Sequence, residues 1–169
     1  MAANETRLIA GLKEAILTEQ TGMEFYAVAA RNTRDPRGRE VFEQLAREEA
    51  DHQHWLKVQY QHLLENRPFE NFHGTRRADL SGPSPIYSDE LSRRVGEAHW
   101  EMTALSVGLA LEHAAVARYR SLAGSPGRPE ERRFFEELAA WEETHAAALK
   151  RQHDLLLESY WHQAQFAPF

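Results

Sequence analysis

The sequence predicts an all-α fold, a four-helix bundle made from a duplicated helix pair with one long crossover connection between the copies. Three observations carry this. Residues 12–65 laid over residues 105–158 without a gap share 18 identities in 54 positions, where chance at this composition gives about four. Apolar residues recur at three- and four-residue spacing in four long segments, the period of a buried helical stripe. Breaks bearing Pro and Gly part those segments, two short and one long. A unit of 93 residues that occurs only twice closes on itself instead of stacking as a solenoid.

Asn4 or Thr6 can cap the first helix, and Leu8, Leu12, Ala15, Ile16, Gly22 and Met23 recur at helical spacing along it to about Asn32. Glu19 and Tyr26 fall on the same stripe. Asp35-Pro36 signals a turn, and a second helix runs from about Arg37 to Asn66, with Leu45, Glu49, His52, Leu56 and Leu63 on one face. Residues 66–88 hold Pro68, Gly74, Gly82, Pro83 and Pro85, which predicts a connection without regular structure, followed by a short helix from Asp89 to Gly96. The third helix covers about Ala98 to Ala123, with Leu105, Leu109, Glu112, Ala115, Val116 and Tyr119 inward. A turn carrying Gly124, Pro126, Gly127 and Pro129 leads to the fourth, about Glu130 to Trp161, with Leu138, Glu142, His145, Leu149 and Leu156 inward. The chain 1–169 thus reads as one domain: helix pair 4–66, crossover 67–97, helix pair 98–161. The short turns make antiparallel neighbours, and the long connection is the single crossover of a ferritin-like bundle.

Composition narrows the function. With no Cys, disulfides, zinc-thiolate sites and iron-sulfur clusters are excluded. A formal net charge of -6 without any basic run argues against nucleic acid. No apolar stretch approaches membrane-spanning length and the N-terminal residues do not form a signal sequence, so a cytoplasmic protein without a membrane partner is expected.

The chemistry lies in a Glu-x-x-His motif that occurs twice at the repeat offset, Glu49 to His52 and Glu142 to His145, with partner carboxylates Glu19 and Glu112 at that offset too. Alone, the motif means little. With 21 Glu and nine His, about one accidental copy is expected, and Glu70 to His73 in the connection supplies it. The two helical copies differ because all four Glu lie on inward stripes. Four carboxylates meeting inside a bundle are strongly unfavourable unless protonated or neutralised. Two divalent cations balance them, with the two imidazoles completing the coordination. Oxygen-rich ligation suits iron, with manganese or zinc as alternatives. Tyr26 and Tyr119 each follow a partner Glu by two helical turns; they fill the core or hydrogen-bond a ligand carboxylate. The other histidines (His54, His62, His73, His99, His113, His153 and His162) have no duplicated partner and read as surface or incidental. Trp55, Trp100, Trp141 and Trp161 read as packing between helices or at a subunit interface.

On the run from Thr18 to Tyr26, on Phe42 to His52 and on the second-half versions ending in Tyr119 and His145, the chain resembles the rubrerythrin-like branch of the ferritin-like di-iron superfamily. The resemblance implies two iron ions, with Glu19 and Glu112 as terminal carboxylates, Glu49 and Glu142 as bridges, and His52 and His145 as nitrogen ligands. It also implies a homodimer or larger assembly and a role against oxidative stress. Full-length rubrerythrins add a four-Cys rubredoxin module, for which this chain has no Cys. Peroxidase-type members carry a further Glu one turn from the third-helix ligand, where this chain has Gly108, Leu109, Ala115 and Val116. The expected function is therefore a di-iron oxidoreductase acting on Fe(II) with dioxygen or peroxide, served by an external electron donor if it is a peroxidase. The alternatives are a non-catalytic iron-binding or iron-delivery protein and a structural bundle.

Overall fold

The computed structural model describes residues 3–72, 77–94, 96, 98–125 and 127–163, with the backbone alone at 3, 4 and 92. Regular structure among them is helical: α1 (Ala3–Asn32), α2 (Pro36–Leu64), α3 (Asp89–Arg93), α4 (His99–Ala123) and α5 (Pro129–Gln163). None of these helices is long and apolar enough to cross a membrane.

The helix ends follow local chemistry. Asp35 caps α2 by accepting from the Gly38 amide at 2.8 Å, and Pro36 occupies the first turn, where its missing N–H costs nothing. At the start of α5, the Glu131 carboxylate accepts from the Arg128 amide at 2.9 Å. The first helix begins at Ala3, so Thr6 lies inside it as an exposed residue instead of capping it; the Asn4 side chain lies outside the described set. The short third helix stops at Arg93, before Gly96, because Arg94 leaves helical geometry and closes the turn with a bond from its amide to the Leu91 carbonyl.

Short turns make α1 and α2, and likewise α4 and α5, antiparallel pairs. Gln53 reaches the Ile16 carbonyl in one pair, and Arg120 meets Glu143 in the other. The α1 and α4 helices run antiparallel too, as Glu14 meets Arg118 and Tyr26 meets Glu112, so α2 and α4 run the same way and the connection between them must join opposite ends of the bundle. The two repeat glutamines hold both ends of that journey. Gln59 exchanges two hydrogen bonds with the Glu70 backbone, at 2.9 and 3.3 Å. Its counterpart Gln152 accepts from the Ile86 and Tyr87 amides, both at 2.9 Å, and from Ser84. Gly38 lets the far end close in, since a Cβ there would lie 2.3 Å from the Tyr87 ring.

His62 corrects the surface reading given to the unduplicated histidines. It is 5% exposed, with Nδ1 2.8 Å from the Pro68 carbonyl and Nε2 3.3 Å from Glu70. Its burial follows from docking the start of the crossover, whose path α2 alone does not reveal. His73 lies outside the described residues.

Two apolar clusters fill the bundle, each assembled from complementary halves of the repeat. One holds Tyr26, Phe42, Leu45, Leu105 and Leu149; the other holds their counterparts Tyr119, Phe135, Leu138, Leu12 and Leu56. Ile16, Met23, Leu63 and Leu109, expected inward, are only partly buried at the rim.

Candidate metal centre

Between the apolar clusters lies a polar layer. Glu19 comes from α1, Glu49 and His52 from α2, Glu112 from α4, and Glu142 and His145 from α5; none is more than 4% exposed. The i, i+3 spacing of each Glu-x-x-His puts both side chains on one helix face, and the antiparallel pairing brings the four faces together. The side chains form two overlapping groups whose candidate ligand atoms all lie within 4.8 Å of one another: Glu19, Glu49, His52 and Glu142, and Glu49, Glu112, Glu142 and His145. Glu49 and Glu142 belong to both. The His52 Nδ1 lies 2.8 Å from Glu142 and 3.4 Å from Glu19. The His145 Nδ1 lies 3.2 Å from Glu142, 3.6 Å from Glu49 and 3.7 Å from Glu112.

The tyrosines cross the bundle. Tyr26 of α1 donates to Glu112 of α4, and Tyr119 of α4 donates to Glu19 of α1. Both rings are fully buried and pack on Phe42 and Phe135 respectively. Gly108 makes room for the first of these contacts, because a Cβ there would come within 3.2 Å of the Tyr26 hydroxyl.

A model of the family described as Rubrerythrin matches residues 11–153, a span that contains all eight residues just described. The chain belongs to the rubrerythrin family. Neither the curated proteins nor the solved structures yield a match. Family membership and the buried clusters together make this a candidate di-iron carboxylate centre.

The donor set fits metal ions in a way it does not fit a closed hydrogen-bond network. Glu19 Oε2, Glu49 Oε1, both Glu142 oxygens and the Nδ1 atoms of His52 and His145 are buried and face one another at ion-pair distance without an aligned hydrogen bond. Native interiors rarely leave so many polar atoms unsatisfied, and seven of the ten such side-chain atoms among the described residues, the Nε2 of His52 included, belong to the two ligand groups. Electrostatics report the same crowding. Burial, reinforced by Glu142, pushes the Glu112 carboxyl up to about 8. Burial with Glu142, Glu19 and Glu112 raises Glu49 well above the carboxylate range. Burial opposes charge on His52, but Glu142 and Glu19 outweigh it and push the ring up to about 10. Burial likewise opposes charge on Glu142, and the two imidazoles overcome it and lower that carboxyl. Burial raises both tyrosines above their ordinary value, with the nearby carboxylates adding to the shift. Without cations beside them, the environment of this rubrerythrin-family site favours protons on Glu49, Glu112, His52 and His145 and the ionised form of Glu142.

One buried residue beside the layer escaped the sequence reading. Glu48, 1% exposed, accepts from the Trp141 indole at 2.8 Å, lies 3.0 Å from the His145 Nε2, and receives the Ala78 amide and the Gln44 side chain. Burial works against its ionisation, yet these donors lower its pKa. Its signal was its spacing, Leu45, Glu48, His52, on the inward stripe. The repeat concealed it, because the matching position is Trp141.

Proposed function

We propose that this chain is a di-iron oxidoreductase of the ferroxidase or peroxide-reducing kind, with Glu19, Glu49, His52, Glu112, Glu142 and His145 holding two irons. The observation that carries this is the pair of overlapping four-residue groups sharing Glu49 and Glu142, the arrangement two bridged cations need. Bound irons would supply the redox chemistry, cycling between ferrous and ferric as electrons pass to dioxygen or peroxide. The protein's part is to hold and shield. Glu19 and Glu112 serve as terminal ligands whose orientation is fixed by Tyr119 and Tyr26. The inward Nδ1 atoms of His52 and His145 serve as nitrogen donors once their protons leave, and the flanking apolar clusters keep bulk water from the layer. If the oxidant is peroxide, its reduction calls for an external electron donor. A cytoplasmic location and a homodimer go with this reading.

The test is anaerobic loading with Fe(II), then mixing with peroxide or air while the ferric absorption is followed. Two irons per chain and rapid oxidation by one oxidant are expected; the faster oxidant separates peroxidase from ferroxidase. Glu49→Ala, which removes a shared ligand, should abolish the rapid phase. Stoichiometric iron without turnover would instead identify an iron carrier, and full activity in the Glu49→Ala protein would refute the site.

A further inference from the structure

The duplication makes the two halves of the layer nearly equivalent, yet the surroundings of the two imidazoles differ. Resting on the two-metal reading above, we propose that Glu48 is a positioning residue for His145 and makes the two metal positions unequal. The position formed by Glu49, Glu112, Glu142 and His145 then binds its ion more tightly and fills first, and the position formed with Glu19 and His52 is the weaker one.

The argument begins with ring tautomers. To ligate through the inward Nδ1, a neutral histidine must carry its proton on Nε2, and the partner of that N–H fixes both tautomer and ring orientation. The Nε2 of His145 lies 3.0 Å from a Glu48 oxygen. That carboxylate is itself fixed, with one oxygen held by Trp141 at 2.8 Å and the other by the Ala78 amide and by Gln44 at 3.2 Å. A carboxylate behind an imidazole raises its basicity as a ligand. Among the described residues His52 has no equivalent. Its Nε2 is buried without a partner among them, and the ring packs against the rings of Trp141 and Phe72, with centroids 5.2 and 5.8 Å away. Setting an N–H there leaves a buried donor unsatisfied among the described residues, which opposes the ligating tautomer. The asymmetry follows from sequence: residue 48 and residue 141 occupy the same place in the two repeats, and only one of them is Glu.

The experiment is a titration of metal-free protein with Mn(II), followed by calorimetry and by electron paramagnetic resonance. Two resolved binding steps are expected, and one equivalent should give a single-ion signal with little of the coupled two-ion spectrum. Glu48→Gln should weaken the tighter step about 10- to 100-fold and leave the weaker step within about threefold, so that the steps converge. His145→Gln should abolish the tighter step, and His52→Gln the weaker. A single unresolved two-ion step in the wild type, or a tighter step unmoved in a folded Glu48→Gln protein, overturns the inequality while leaving the two-metal site intact. Failure of the wild type to bind two ions overturns the site reading itself. Should Glu48→Gln not fold, the wild-type isotherm and the two histidine variants decide: loss of the tighter step in His52→Gln refutes the assignment.

Discussion

Tyr26 and Tyr119 each reach from one helix pair to the terminal carboxylate of the other, so a single hydroxyl couples halves far apart in sequence. Tyr119→Phe should leave the fold intact, lower stability by about 1 kcal/mol, and weaken metal binding at the Glu19 side by roughly tenfold or more; a calorimetric isotherm unchanged from wild type would show the bond to be incidental. The protons at the site give a second expectation. His52, raised from 6.5 to about 10, contributes stability that is fully present below pH 6.5 and lost as pH climbs through about 10. Glu112, raised from 4.5 to about 8, keeps a proton that the unfolded chain has released across that range. In both cases the native state binds more protons, so stability of the metal-free protein falls as pH rises. Thermal unfolding scans of chelator-treated protein should show a lower midpoint at pH 9 than at pH 6; cations that displace these protons should flatten the slope. At this scale the sequence was legible at the six Glu and His positions and the two tyrosines, which the repeat preserves and the structure brings together. Glu48 and His62 were not, since each has a different residue at the matching position, Trp141 and Leu155, and each acts on a partner outside its own helix.

The four long helices could be read to within a few residues because an amphipathic stripe registers burial directly in residue spacing. The crossover could not. Its route is set by side chains reaching out from α2 and α5 to backbone groups, and backbone groups leave no pattern in a sequence. Gln59 and Gln152 were visible as a matched pair, but only the structure shows that they grip opposite ends of the same strap. Their energetic weights should differ. Gln152→Leu strands the amides of Ile86 and Tyr87, while Ser84 keeps its bond to the Tyr87 carbonyl, and should cost about 3 kcal/mol, whereas Gln59→Leu frees groups on half-exposed Glu70 and should cost about 1 kcal/mol. Urea unfolding would measure both, and equal losses would contradict this account of how the strap is held.

Across the molecule, the polar layer parts the two apolar clusters of the core, so without cations the bundle is held together least well at the candidate metal centre. Chelation should therefore lower the thermal midpoint. Restoring an ion to about a hundred times its dissociation constant should return about 2.7 kcal/mol per site, as read by calorimetry with and without metal; a midpoint indifferent to chelator would leave the carboxylates vestigial. The pairing of Glu48 with Trp141 also bears on how the halves recognise each other. Each residue meets its own counterpart, so it lies near the axis that relates the repeats. Two copies of the first helix pair would press two buried carboxylates together, and two copies of the second would leave two indole N–H groups without an acceptor. Only a first half with a second half satisfies both. Unlike residues at this one repeat position thus make the two halves prefer each other over themselves, and any exchange of helix pairs between neighbouring molecules must respect that preference.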